Sequence, residues 1–160
     1  MVNAAILGVY KDGPESTQDE VVRGKWSAWR IASSAPRKLW KDAEGALDAV
    51  IRRHGIVNLY VYYGENLPVE YVLNVDQIEV YDRLSPAPGS AFDPSQRAYV
   101  WIRYAGIERL ERALCRDDFR ELELSGGQFA EDARPLGESG WAKMHHSGLV
   151  FVDDPLTRAR

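Results

Sequence analysis

The hydrophobic positions of the chain recur with a period of two over much of its length, which is the spacing of β-strands. Alternation runs through VNLYVYY at 57–63 and, after the turn-forming GENLP, through PVEYVLNVDQIEVYD at 68–82. These two segments predict an antiparallel pair with one buried face. Four further segments of extended character predict strands: NAAILGVY at 3–10, KWSAWRIAS at 25–33, AYVWIRY at 98–104 and SGLVFVDDP at 147–155.

Two segments show helical spacing instead. KDAEGALDAVIRRHG at 41–55 has Asp42 as an N-cap and a glycine as its C-terminal stop, with His54 on its apolar stripe. AGIERLERALCRDDF at 105–119 repeats apolar residues at intervals of three and four, which predicts a second amphipathic helix. Cys115 lies inside this second segment, where a buried structural thiol is expected.

The order of these elements predicts an α+β fold, in which a mostly antiparallel sheet is curled or closed into a small β-barrel with two peripheral helices. A single domain over residues 1–160 is expected, because a chain of this length can bury its own core. Helices do not alternate with strands, which excludes a doubly wound parallel sheet. The segment RLSPAPGSAFDPSQR at 83–97 contains three prolines and predicts a long surface loop, for which function and disorder are both open.

Composition places the chain among ordinary globular proteins, with 45% hydrophobic and 28% charged residues. No apolar run reaches the roughly 18 residues that a membrane-spanning helix requires, and the N-terminal segment lacks the features of a secretory signal. We therefore expect a cytoplasmic protein without a membrane partner. The single cysteine rules out an internal disulfide, and no Cys or His stands at a metal-ligand spacing from it, so neither a metal nor a cofactor is expected.

Charge is unevenly distributed along the chain, although its net value is only −4. Residues 21–56 hold eight Lys and Arg against three Asp and Glu, whereas residues 57–125 hold seven against twelve. A negative protein is a poor general ligand for phosphates, but a basic segment on an acidic body is compatible with one positive face.

The basic segment also carries three tryptophans, since VRGKWSAWRIASSAPRKLWK contains six Lys and Arg, no acid, and three Trp. Aromatic platforms beside cations are what base-recognition sites use. The alternative is that the tryptophans belong to the core and the basic residues form a solvated rim. If KWSAWRIAS is a strand, Trp26 and Arg30 share a face toward a cleft or the solvent, while Trp29 shares the core face with Ile31. This alternation does not assign Trp40.

Familiar catalytic and nucleotide-binding motifs are absent from the sequence, including GxGxxG, the P-loop, HExxH and GxSxG. LSGGQ at 124–128 matches the signature of transport ATPases by letters alone, because no Walker motif accompanies it. His145 and His146 are adjacent, and adjacent residues of a strand point in opposite directions, so a surface or hinge role is favoured over a metal site.

The segment VVRGKWSAWRIAS, the helix that follows it and VNLYVYYGENLPVEYVLNVDQIEVYD together resemble the PUA-like superfamily, which includes the PUA, ASCH, EVE and YTH domains. The resemblance covers residues 21–125 and implies a small curled β-barrel with peripheral helices. It also implies recognition of RNA, or of DNA carrying a modified base, in a cleft lined by aromatic residues. HGIVN stands where a GD dipeptide often precedes the central strand of ASCH and EVE domains, and the Thr/Lys/Glu catalytic set of amidohydrolase-like ASCH proteins is missing, so binding is expected rather than catalysis.

The leading hypothesis is thus a nucleic-acid binding module that recognises a modified or unpaired base. The residues that the resemblance implicates in holding the base are Lys25, Trp26, Ser27, Trp29, Arg30, Trp101, Arg103 and Tyr104. Phosphates are expected to contact Arg37, Lys38 and Lys41. Two other functions stay open: a small hydrolase that acts on modified nucleosides through Lys25, and a protein-interaction domain whose tryptophan-rich face docks a partner.

Overall fold

An eight-stranded sheet forms the framework of the computed structural model, which describes residues 3–10, 26–29, 34–63, 68–89 and 97–158. The strands of these residues are β1 (Ala4–Tyr10), β2 (Trp26–Ala28), β3 (Val57–Tyr63), β4 (Val69–Ser85), β5 (Ala98–Leu114), β6 (Arg120–Glu121), β7 (Leu124–Ser125), β8 (Gln128–Phe129), β9 (Arg134–Pro135) and β10 (Leu149–Asp153). The helices are α1 (Ser34–His54), α2 (Gly137–Ser147) and α3 (Pro155–Arg158), and a 3-10 turn spans Arg116–Asp118.

The order of strands in the sheet is β2-β5-β4-β3-β1-β10-β6-β9, while β7 and β8 form a separate hairpin. Within the large sheet β1 and β3 are parallel, and the remaining neighbours pair antiparallel. The predicted pairing of β3 with β4 is present. The structure therefore confirms the α+β class and the mostly antiparallel sheet.

Several predicted features fall outside the described residues. They are Lys25, Arg30, residues 90–96 of the loop predicted over 83–97, and the side chains of His145 and His146. The first three residues of that predicted loop, 83–85, belong to β4 instead. Within the ranges that the structure describes, no helix combines the length and the hydrophobicity needed to cross a membrane.

Side chains of the central strands are buried on both faces of the sheet. On one face, Trp40 and Leu47 of α1 belong to a buried cluster that includes Leu59 of β3. On the other face, Tyr60 belongs to a second cluster with Met144 of α2. The prediction of a single buried face is therefore wrong, because α2 and the segment before it cover the side that was expected to face solvent.

Residues 105–119 do not form the predicted second helix. Strand β5 continues to Leu114 and stays paired with β4. Register shifts interrupt this ladder: Tyr71 pairs with Arg109 but Val69 pairs with Leu114, so β5 carries extra residues between the two pairs. Such insertions break the two-residue alternation and leave apolar residues at helix-like intervals. Pairing with β4 decides the conformation, since tertiary context overrides a weak local preference.

The first helix is confirmed but begins earlier than predicted, at Ser34. Pro36 lies in its first turn, which is a position where a helix tolerates proline. His54 at the end of α1 is exposed, and Cys115 after β5 is exposed as well. The buried environment expected for Cys115 is therefore wrong.

Helix α2 was not predicted, because GESGWAKMHHS contains two glycines and two serines, which have low helix propensity. Its position is explained by packing. The ring of Trp141 lies 4.6 Å from that of Tyr62 in an edge-on arrangement, and Met144 is fully buried. Tertiary contacts of an apolar face thus stabilise a segment whose local preference is weak.

Two glycine substitutions test the packing around β1. A Cβ at Gly8 would lie 2.8 Å from Cη2 of Trp29 and 3.2 Å from Cδ1 of Leu59, so we expect Gly8→Ala to destabilise the protein by about 1–3 kcal/mol. Gly45 in α1 has open space at the same position, so Gly45→Ala should stabilise by about 0.5–1 kcal/mol. Urea denaturation midpoints measure both changes, and equal effects of the two substitutions would contradict the packing described here.

Candidate functional site

Strand β2 places Trp26 on the face of the sheet opposite α1. Trp26 pairs with Arg103 of β5, which pairs in turn with Gln77 of β4. Residues directly opposite one another on antiparallel strands share a face. Two residues along, Ala28, Trp101 and Glu79 form the next row of the same face. We call the surface formed by Trp26, Arg103, Asp76, Gln77 and Glu79 the Trp26 face.

The Arg103 guanidinium is held in place by Asp76. Its Nε lies 2.9 Å from Asp76 Oδ1 and its Nη2 lies 3.3 Å from Oδ2, which is a bidentate pair. The hydrogen bonds that Arg103 donates to Asp76, together with the negative charge of that carboxylate, raise the pKa of Arg103, so the guanidinium stays charged. The guanidinium carbon lies 5.8 Å from the centroid of the Trp26 ring, within the range of a cation–π contact.

A β-bulge makes this pair possible. Val75 pairs with Tyr104 and Gln77 pairs with Arg103, so Asp76 is an extra residue on β4. In a regular ladder the side chain of Asp76 would point to the face opposite Gln77. An extra residue bends the strand and redirects a side chain, and bulges are frequent beside functional sites.

Trp101 forms the floor of the Trp26 face rather than an exposed platform. It is 1% exposed, and its Nε1 donates a hydrogen bond to the carbonyl of Ser85 at 2.9 Å. Beside it, Gln77 Nε2 donates to Glu79 Oε1 at 3.4 Å, and both of these side chains are partly exposed. The face thus offers one accessible indole, one fixed guanidinium and an amide next to a carboxylate.

Three of the residues expected to bind a base lie elsewhere. Trp29 is buried in the cluster beneath α1, as strand alternation predicts, with its ring 5.3 Å from that of Trp40. Tyr104 belongs to the same cluster and is 3% exposed. Ser27 is half-buried opposite Ile102, also on the α1 side of the sheet. These side chains do not line the Trp26 face.

The three basic residues expected to bind phosphate lie on the first two turns of α1. Arg37 is partly buried: its Nη1 donates to the carbonyl of Asp82 at 3.0 Å, and its guanidinium lies 4.8 Å over the ring of Tyr99. Lys41 is exposed, with its Nζ 3.7 Å from Glu44. Lys38 is exposed and forms no ion pair with any residue that the structure describes. Of the three positive charges, that of Lys38 is the least offset by neighbouring polar groups among the described residues.

Sequence reasoning missed the partners that organise this surface. Asp76, Gln77 and Glu79 all belong to the alternating segment recognised as a strand, but their facing depends on the bulge. No sequence signal marks which residue of LNVDQIEV, at 73–80, is the extra one. The contact of Arg37 with Tyr99 could not be predicted either, because it depends on how α1 packs against the start of β5.

No protein-family model, curated protein or solved structure significantly matches this chain. Among the described residues, no group of three or more His, Cys, Asp or Glu side chains is placed to hold a metal ion. The side chains of the Trp26 face can stack against a planar group and exchange hydrogen bonds with its edge.

The Asp76 and Arg103 pair should orient the site rather than stabilise the fold. Both side chains retain contact with water, with 25% and 36% of their surfaces exposed, and exposed ion pairs contribute little to stability. We expect Asp76→Ala to lower the urea midpoint far less than Gly8→Ala does. A loss as large as that of Gly8→Ala would assign Asp76 to the structural core instead.

Proposed function

We propose that the protein is a nucleic-acid binding module that stacks an unpaired or modified base on Trp26 beside Arg103. The observation that carries the proposal is the arrangement of a partly exposed indole next to a guanidinium that Asp76 already holds in place. Stacking on an aromatic ring contributes about 1–3 kcal/mol per unpaired base, and it accepts any base because each has a π-face.

The neighbouring side chains support a base as the planar group. Gln77 offers both a donor and an acceptor, and Glu79 offers an acceptor, at the edge of the surface next to Trp26. A nucleobase presents the complementary donors and acceptors on its edge. Because Asp76 fixes Arg103 before binding, less side-chain entropy is lost when a ligand contacts the guanidinium.

The basic residues of α1 support a contact with a flanking phosphate. Arg37 sits over Tyr99, which is four residues before Arg103 on β5. Four residues of extended strand span about 13 Å, so the start of α1 is within a few nucleotides of a base on Trp26. Lys38 then meets the phosphate backbone as the chain of nucleotides passes the start of β5.

A PUA-like fold is part of the same proposal. It is supported by the short edge strand β2 with its tryptophan, by the parallel neighbours β1 and β3, and by the long bulged pair β4 and β5. Bulges increase the local twist and bend of a strand, which is how a sheet curls toward a barrel. RNA and DNA with a modified base are both ligands of this proposed class.

Substitution of Trp26 tests the stacking platform directly. We expect Trp26→Ala to weaken binding of a single-stranded RNA or DNA oligonucleotide by about 5- to 150-fold, which corresponds to the loss of one stacked base. Trp26→Phe should keep most of the affinity, because an aromatic ring remains. Fluorescence anisotropy with both types of oligonucleotide measures the effect, and equal affinities of the Ala variant and the wild type would refute the proposal.

The salt dependence of binding tests the phosphate contact. We expect Lys38→Ala to reduce the slope of log K against log salt by about 0.7–0.9, the contribution of one phosphate contact. Lys41→Ala should reduce it less, since Glu44 already offsets the charge of Lys41. Arg53→Ala, at the other end of α1, serves as the control and should leave the slope unchanged. A larger effect of Arg53 than of Lys38 would place the nucleic acid elsewhere.

A further inference from the structure

A polar cleft of about 240 Å³ lies where α1 ends and β3 begins. It extends from the start of β1 to α3 and is bordered by β4 and β5. The polar side chains that line it include His54, Asn58, Asn74, Glu108, Asp154 and Thr157. None of the residues of the Trp26 face lines this cleft, so it is a separate feature of the fold.

A buried carboxylate lies in the wall of the cleft. Asp154 is 2% exposed and accepts three hydrogen bonds: from the Tyr60 hydroxyl, from the Leu156 N–H at 3.0 Å and from Asn58 Nδ2 at 2.9 Å. Burial, together with the negative charge of Asp154, raises the pKa of Tyr60, so its hydroxyl stays protonated and donates. No cationic side chain in the described ranges pairs with Asp154.

The Asp154 carboxylate fixes the orientation of the Asn58 side-chain amide, and Asn58 in turn fixes that of the Asn74 amide. Because an ionised carboxylate only accepts, Asn58 must turn its NH₂ group toward Asp154. The Oδ1 of Asn58 is then left to accept a hydrogen bond from Asn74 Nδ2 at 3.1 Å. Asn74 in turn must present its Oδ1 away from Asn58. We call this series of hydrogen bonds, from Asp154 through Asn58 to Asn74, the relay. Its last atom, Asn74 Oδ1, is a hydrogen-bond acceptor.

The space in front of that acceptor is kept open by Gly106. Gly106 pairs with Asn74 across the β4 and β5 ladder, and a Cβ there would lie 3.6 Å from Asn74 Oδ1. Glu108 stands two residues further along β5, lines the cleft and is exposed. It forms no ion pair within the part of the chain that the structure describes. An uncommitted acceptor and an uncompensated negative charge thus border the same open space.

We propose that this cleft binds a small organic cation whose primary ammonium group donates to Asn74 Oδ1 and pairs with Glu108. An ammonium group has three donors and no acceptor, which matches a surface of acceptors. The volume equals that of about eight water molecules, room for a short diamine. A metal ion fits less well, because no three metal-ligating side chains converge among the described residues. The proposal does not depend on nucleic-acid binding.

Calorimetric titration with butane-1,4-diamine tests the proposal, with butane-1,4-diol as the uncharged match. We expect saturable binding of the diamine at one site and none of the diol. Glu108→Gln should lower the affinity for the diamine by about tenfold, which is the typical loss when a hydrogen bond is no longer assisted by charge. Glu111→Gln, an exposed carboxylate of the same strand outside the cleft, should leave the affinity unchanged and so excludes a general effect of net charge.

Gly106→Ala provides the variant that is specific for the relay. Its methyl group would occupy the space before Asn74 Oδ1 at an ordinary contact distance, so we expect loss of diamine binding in a protein whose urea midpoint is not lowered. Trp26→Ala should retain diamine binding, which separates this site from the Trp26 face. Equal binding of diol and diamine, retained binding in Gly106→Ala, lost binding in Trp26→Ala, or no saturable binding of the diamine in the millimolar range would each overturn the proposal.

Discussion

The pairing of β4 with β5 fixes the positions of four of the five residues of the Trp26 face and of Asn74 and Glu108 in the polar cleft. Each strand carries one extra residue in the middle of the ladder, Asp76 on β4 and Ala105 on β5. The two insertions cancel, so the pairs on either side, Asn74 with Gly106 and Gln77 with Arg103, belong to the same register. Since the insertions lie opposite each other, the ladder bends locally and the residue pairing beyond them keeps the same register. Both candidate sites lie beside this bend.

A carboxylate organises its neighbours at each of the two sites, although by different means. Asp76 is a quarter exposed and acts on Arg103 as an ion pair, a contact that water partly screens. Asp154 is almost fully buried and acts through hydrogen bonds with neutral donors. A buried charge is costly unless its hydrogen bonds are satisfied, which explains why three donors converge on Asp154. Asp76 thus orients the cationic side chain of Arg103, whereas Asp154 orients, through Asn58, the acceptor oxygen of Asn74.

Local patterns were sufficient to predict β1 to β4, the first part of β5, β10, α1 and the fold class, because alternation and helical spacing are properties of short segments. They did not indicate the two-residue strands β6 to β9. They were not sufficient for 105–119, where the spacing produced by insertions in a strand resembles that of a helix. In the basic segment, too, the local pattern predicted which side chains are buried but not which distant residues they contact. Alternation correctly separated buried Trp29 from partly exposed Trp26, but the partner of Trp26 on its face, Arg103, comes from a strand more than 70 residues away. Asn58, Asn74 and Asp154 carry no motif at all, since only the sheet brings them together.

The parallel placement of β1 beside β3, with β10 on its other side, has a consequence for how the fold is reached. Ala4 pairs with Asp153, so the centre of the sheet joins segments that are almost 150 residues apart in sequence. Contacts of such long range make folding slow, because chain entropy is lost before the contact is gained. During synthesis, β1 emerges from the ribosome long before β10 exists. Until then one edge of β1 lacks its partner strand, so its pairing with β3 is the sheet contact that can first protect β1 from pairing with another chain.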